Sequence, residues 1–234
     1  MKVTLVVPTL NELEGLKKTM PLIKKEWVNQ VVVLDGRSTD GSVEWAREQG
    51  YGTWTESESG LWAGYSEMFL IGKVKGDIVI TFSPDGNSIP EIIPELVKKI
   101  NEGYDMVIAS RYKDGATSED DTKLTGFGNK MLTGLVNLLS GYKYTDSLVM
   151  YRAYRTDIVW QLGLTETPNW LQRRLMKLSG LYSWEPSLSI RAAKAHLRIA
   201  EIPASEPLAF RERRQNTFVH GITLLTQILH EALR

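Results

Sequence analysis

The 234-residue chain contains no cysteine. Disulfides, thiolate-bound zinc and thiol nucleophiles are therefore excluded, and the composition fits a reducing compartment. No run of about 18 apolar residues occurs, so no segment reads as a membrane span, and the short apolar stretch at the N-terminus is too brief for a secretory signal. The expectation is a cytoplasmic protein, at most peripheral to a membrane. Net charge is missing too: 28 Lys and Arg balance 28 Asp and Glu. No nucleic-acid partner is expected, and any phosphate-binding surface must be a local concentration of charge. A glycine-rich phosphate loop is also absent after the first apolar run, where Pro8-Thr9-Leu10-Asn11-Glu12 carries neither glycine nor a basic residue. A dinucleotide-dependent oxidoreductase requires G-x-G-x-x-G there, and a nucleotidyltransferase requires a glycine-rich basic loop.

What is present is an alternation. Short β-branched runs at 2–7, 31–34, 52–55, 77–82 and 106–109 are separated by helical patterns at 12–23, from 41 onward, at 61–73 and at 90–101. Continuous apolar strands spaced by helices predict an α/β fold with a mostly parallel central sheet flanked by helices. In such sheets ligands sit beyond the C-terminal strand ends. The second half is less regular. Residues 113–123 are polar and acidic and read as a mobile loop able to act as a lid. Helices are expected at 125–139, 156–162 and 169–178, a strand at 148–154, and the end of a last strand at 201–203. A C-terminal helix over 217–233 spaces Phe218, Ile222, Leu225, Ile228 and Leu229 at helical intervals. It could pack on the body, pair with a second copy or touch a membrane surface.

Three strand ends carry chemistry: Asn11 and Glu12 after the first, Asp35 and Asp40 after the second, and Ser83, Asp85 and Asn87 after the run at 77–82. Each alone is equally a helix cap or a turn. Together they suit a nucleotide: one carboxylate can accept from a base N–H or a ribose hydroxyl, and another can hold a hard divalent cation against a diphosphate. Arg111, Arg211, Arg213 and Arg214 are candidates for phosphate oxygens. A sugar-hydroxyl acceptor needs a base, for which Asp120, Asp121 and Asp146 are candidates, whereas a lipid monophosphate is already mostly dianionic at neutral pH.

The pair VVPTLNE and VVVLDGRSTDGS resembles the opening of family 2 glycosyltransferases of the GT-A fold. GDIVITFSPDGNSIPEIIPEL resembles the strand that ends in the family's Asp-x-Asp and runs on to P-E. ASRYKDG, TDSLVMYRAYRTD and EIPASEPLAFRERRQNT resemble later segments of the dolichyl-phosphate mannose synthase branch, so the likeness covers about residues 1–215 in order. It implies a GT-A domain over 1–215, with a nucleotide-binding half at 1–110 and an acceptor half at 111–215, followed by a C-terminal helix over 216–234. It implies inverting transfer from a UDP- or GDP-sugar, with Mg²⁺ or Mn²⁺, to a polyprenyl phosphate or a saccharide hydroxyl. Pro8, Thr9, Asn11 and Glu12 would line base and ribose; Asp35 would bond the base, with Arg37 and Asp40 in the same loop. Ser83 and Arg211 would lie near the donor phosphates, Asp85 with Asn87 would hold the metal, and Asp121, Asp146 and Arg111 would serve the reaction. Two departures stand out. Ser83 occupies the place of the first acid, and ESESGLWA at 56–63 lacks the usual basic residue. A degenerate nucleotide-sugar-binding protein is the alternative these departures leave open.

Overall fold

A computed structural model describes residues 1–57, 60–166, 169–170, 172–174, 182, 184–210 and 217–233. Among them, Val3–Thr9 (β1), Gln30–Asp35 (β2), Gly52–Thr55 (β3), Ile78–Thr81 (β4), Met106–Ser110 (β5), Arg152–Arg155 (β6) and Ile199–Pro203 (β7) form one seven-stranded sheet in the order β3-β2-β1-β4-β6-β5-β7. All neighbouring pairs are parallel except those made by β6, which runs antiparallel to β4 and β5. The mostly parallel sheet expected from the continuous apolar runs is thus present. Period-two alternation sends Val3, Leu5 and Val7 into one core and Val6 into the other. A strand covered on both faces has no polar side to show in its sequence.

Helices Leu13–Thr19 (α1), Ser42–Glu48 (α2), Leu61–Leu70 (α3), Ile93–Asn101 (α4), Lys123–Ser140 (α5), Ile158–Gln161 (α6), Trp184–Lys194 (α7) and Thr217–Ala232 (α8) accompany the sheet. The first is shorter than its pattern: Met20–Leu22 is a 3₁₀ turn, since Pro21 cannot donate to an α-helical ladder. The strand expected at 148–154 begins only at Arg152. The Arg152 side chain is 1% exposed and donates to the carbonyls of Ser147, Val149 and Glu185, so carbonyls ahead of the strand serve it rather than a ladder. Of the helix expected at 169–178, residues 170 and 172–174 are helical, and 171 and 175–178 lie outside the described residues. Helix α7 gave no clear pattern because Glu185, Ser187 and Ser189 are buried along with Trp184, Leu188 and Ile190.

The C-terminal helix is packed into the body. Glu231, 1% exposed, accepts from Arg191 at 2.7 Å and from Ser187 at 3.0 Å. Its other side presents Phe218, Ile222, Leu225 and Leu229 to solvent. No described helix is long and apolar enough to cross a membrane.

Candidate active site

Because β1 to β5 are parallel but for the intruding β6, Thr9, Asp35, Thr55, Thr81 and Ser110 all end on one edge of the sheet. β2 and β4 flank β1, so Asp35 and the turn bearing Asp85 emerge on the same edge, roughly 10 Å apart at two strand spacings. The chain leaves β1 toward β2 on one side and β4 on the other, the switch point where α/β sheets place ligands.

The loops after β1 and β2 are built from each other. Asn11 and Arg37 both take left-handed backbone conformations, at φ 53° and 68°. The Asn11 side chain accepts from the Thr39 N–H at 2.7 Å, and the Asn11 N–H donates to Ser38 Oγ at 2.9 Å. Glu12 N–H donates to Ser42 Oγ. Asp40 is not the N-cap of the second helix, a place taken by Gly41; from one residue before it, Asp40 braces the loop by accepting from Ser42 N–H at 3.0 Å and from Leu13 N–H, also at 3.0 Å, at the start of α1. Burial would raise the Asp40 pKa, but the bonds from Ser42 and Leu13 outweigh it and hold the carboxyl below its ordinary range. Asp35 is 2% exposed and accepts from Arg37 N–H (3.1 Å), Ser38 N–H (2.9 Å) and Thr55 Oγ1 (3.1 Å). A carboxylate offers about four acceptor positions, so Asp35 braces the loop first and keeps little for a base. Arg37 reaches across to the carbonyls of Glu56 and Ser57. Thr9 is buried, its carbonyl accepting from Gly36 N–H, and Pro8 sits in register with Leu34.

The turn at Asp85 is clamped from two sides. A Cβ on Gly15 would lie 2.4 Å from the Pro84 carbonyl oxygen, so α1 approaches this turn as closely as only glycine allows. Thr19 Oγ1 also donates to Pro84 O. Gly86, at φ +100°, is covered by the Phe210 ring, and Phe210 N–H donates to the Asp85 carbonyl at 2.7 Å.

Beside this turn lies a cavity of about 130 Å³, lined among others by Ser83, Asp85, Asn87, Arg111, Tyr151 and Glu206. Asp35 is not part of its lining. Arg111 is buried and bonded through Nε to Asp146 at 2.6 Å and through Nη2 at 2.9 Å, with Glu206 3.6 Å from Nη1. Burial alone would lower the Arg111 pKa; Asp146 and Glu206 beside it outweigh that and hold it above the ordinary value. Asp146 is fully buried and both its oxygens serve Arg111, while Glu201 braces the Thr145 and Asp146 N–H groups. This geometry suits Asp146 to positioning Arg111 rather than to deprotonating an acceptor. Asp121 is bonded to the Tyr112 hydroxyl and Asn129. None of Asp120, Asp121 and Asp146 lines the cavity.

Besides Asp85, the acid that lines it is Glu206, which the sequence reading missed. It lies three residues beyond Pro203 on the edge where function was sought, a signal masked by the basic cluster that follows. Glu206 also ties down the acidic segment expected to be a mobile loop: the Ser118 hydroxyl and Glu119 N–H donate to it, and its own N–H donates to Thr117 O. Arg211, Arg213 and Arg214 lie outside the described residues.

The site's chemistry fits a hard cation. Asn87 Oδ1 is buried without a hydrogen-bond partner among the described residues, a condition that costs about 1–3 kcal/mol unless something answers it. Ser83, Asp85 and Asn87 line the cavity and each carries a side-chain oxygen, the donor type preferred by Mg²⁺ and Mn²⁺. Among the described residues, Asp146 and Glu206 both face the Arg111 guanidinium, and Asp85 lines the same cavity as a further carboxylate.

The family model described as "Glycosyl transferase family 2" matches residues 4–163. The chain is 26% identical over 214 residues to an undecaprenyl-phosphate mannosyltransferase of Micrococcus luteus, the match covering 87% of this chain and 82% of that one. It is 28% identical over 179 residues to an undecaprenyl-phosphate 4-deoxy-4-formamido-L-arabinose transferase of Edwardsiella ictaluri, covering 67% of this chain and half of that longer protein. Among solved structures, glucosyl-3-phosphoglycerate synthase from Mycobacterium tuberculosis, in complex with Mn²⁺, UDP and glucosyl-3-phosphoglycerate, superposes with a TM-score of 0.63 at 18% identity, covering 99% of this chain and 78% of that one. At that identity the likeness is one of fold.

Proposed function

Since the chain belongs to glycosyl transferase family 2 and is a glycosyltransferase, we propose that it moves a sugar, with inversion, from a UDP- or GDP-sugar to a polyprenyl phosphate. The relatives named for undecaprenyl-phosphate substrates support this acceptor. The observation that carries the reading is the shared edge: the interlocked loops of Asn11, Asp35 and Asp40 end beside a cavity that holds Asp85, Asn87 and Arg111.

The interlocked loops form the shelf for base and ribose, with at most one acceptor position of Asp35 left to meet a base N–H. Asp85 and Asn87 would hold Mg²⁺ or Mn²⁺. A cation there supplies neutralisation of the charge that builds on the departing nucleoside diphosphate. Arg111, fixed by Asp146 and Glu206, donates its remaining N–H groups to phosphate oxygens at the cavity wall without having to move. A dianionic acceptor phosphate attacks without a base, which accords with a cavity wall lacking Asp121 and Asp146. Leu124, Phe127 and Met131 on α5, with Phe218 and Ile222 on α8, are exposed. They supply apolar contact with the membrane surface that carries such an acceptor.

The test is a donor screen that reads released UDP or GDP, with undecaprenyl phosphate and Mn²⁺ present. One nucleotide should be released in step with glycosylated lipid. Asp85→Ala should lower that rate by about 10²–10³-fold while leaving the thermal midpoint within a few degrees. Turnover unchanged in Asp85→Ala removes the metal role, and no release from any donor removes the transfer reading. Co-sedimentation with liposomes, lost in Phe127→Glu, checks the membrane contact.

A further inference from the structure

The loss of an acid at Ser83 leaves a cation at Asp85 and Asn87 short of one charged oxygen. A carboxylate on the acceptor half stands close by. Asp120 Oδ2 lies 3.5 Å from Asn87 Nδ2, so the residue whose Oδ1 is the orphaned oxygen is also the residue that touches Asp120. The segment that carries Asp120 is fastened by Ser118 and Glu119 to Glu206, itself a lining residue of the cavity. Two residues beyond Asp120 the chain enters α5 through a capping box in which Thr122 and Thr125 bond each other's backbone. Asp120 is thus held on a short span between two fixed points rather than at the tip of a free loop.

We propose that Asp120 is the acid that replaces the one missing at Ser83: with a divalent cation bound, its carboxylate joins Asp85 and Asn87 as an oxygen ligand. The inference rests on the metal role given to Asp85 and Asn87 above. The contact to the Asn87 amide keeps Asp120 beside the site when the cation is absent. Binding of the cation exchanges that contact for a direct bond, while the bonds of Ser118 and Glu119 to Glu206 and the capping box of α5 keep the segment in place. Hard divalent cations favour carboxylate oxygen over a neutral hydroxyl, which is why a remote carboxylate serves here better than Ser83 itself.

The experiment is Mn²⁺ binding in the presence of UDP, followed by the electron paramagnetic resonance of free Mn²⁺, with no turnover involved. Asp120→Asn should weaken binding by about tenfold or more, and Ser83→Asp placed in the Asp120→Asn background should restore it. Asp85→Ala is the control that separates two failures. If Asp85→Ala loses Mn²⁺ while Asp120→Asn binds like wild type, Asp120 is no ligand and the metal role of Asp85 survives. If both bind like wild type, the metal role itself is wrong. A Ser83→Asp change that fails to rescue an affinity lost in Asp120→Asn also overturns the replacement, because the two acids then do not serve one cation.

Discussion

Between Asn11 and Ser42 the polar groups of two loops answer one another, whereas beside Asp85 a buried oxygen of Asn87 is left waiting among the described residues. On the first side Asp35, Asp40, Ser38 and Asn11 are all bonded to loop backbone. On the second, the buried Asn87 amide oxygen has no partner among the described residues. A self-satisfied frame keeps its shape without ligand, so it can present a preformed shelf. A site with an orphaned oxygen stores the cost of that arrangement until a ligand meets it. The difference separates residues that hold the shape from residues that do the chemistry, although all of them sit on one sheet edge.

The strongest way to break this contrast is at Asp146. It is completely buried on the ligand-waiting side, yet its role is that of a frame for Arg111. Asp146→Ala leaves the guanidinium with only the 3.6 Å contact to Glu206 among the described ion pairs. Removing one partner of a buried pair costs about 3–5 kcal/mol, so denaturant unfolding should show a loss of that size together with lost transfer. A loss below about 1 kcal/mol, in the range of exposed pairs, means the pair is solvated and Arg111 is free to swing toward phosphate.

Asp35→Ala probes the opposite side. Removing a buried acceptor leaves the N–H groups of Arg37 and Ser38 and the Thr55 hydroxyl unanswered, at a cost of about 2–3 kcal/mol. Stability and UDP affinity should fall together, measured by thermal melting and calorimetry on the same sample. If affinity falls while the melting point holds, Asp35 contacts the base before it braces the loop, and the distinction between the two sides narrows.

The same contrast explains what could be read from the chain. The paired loops were legible because their partners lie within two contiguous stretches, 8–12 and 35–42, each following a strand whose apolar run is unmistakable. The strands themselves were legible for the same reason, since burial on both faces leaves a continuous signature. On the other side Ser83, Asp85, Asn87 and Arg111 could be named, and all four line the cavity. Glu206 and Glu201 act through neighbours some 55 to 95 residues away, Asp146 and Arg111, and no local pattern announces such a partner. Helix α7 went unread because its buried face mixes Ser187, Ser189 and Glu185 with aromatic and aliphatic residues. The role of Gly15 was invisible as well, for its meaning lies in the 2.4 Å that a Cβ would leave to Pro84 O.

Glu56 sits where the two kinds of site meet, and substituting it should have the smallest effect. At the end of β3 it is 8% exposed, and its Oε1 accepts from Gly60 N–H at 3.2 Å. Burial pushes its pKa above the ordinary 4.5; the Gly60 N–H and Arg37 pull it down, while Asp35 and Glu67 add to the rise. A carboxyl with a raised folded pKa favours its neutral form, so its contribution to stability is complete below the ordinary glutamate range and is lost as pH rises through the folded value. Glu56→Gln, which stays neutral, should therefore melt like the wild type near pH 4 and above it at pH 7.5, by no more than about 2 °C. A variant less stable than the wild type at pH 7.5 reverses the sign. The ionised carboxylate would then be held by the nucleotide loops as Asp35 is, and the self-satisfied frame would extend across the end of β3 to the stretch that lacks the family's basic residue.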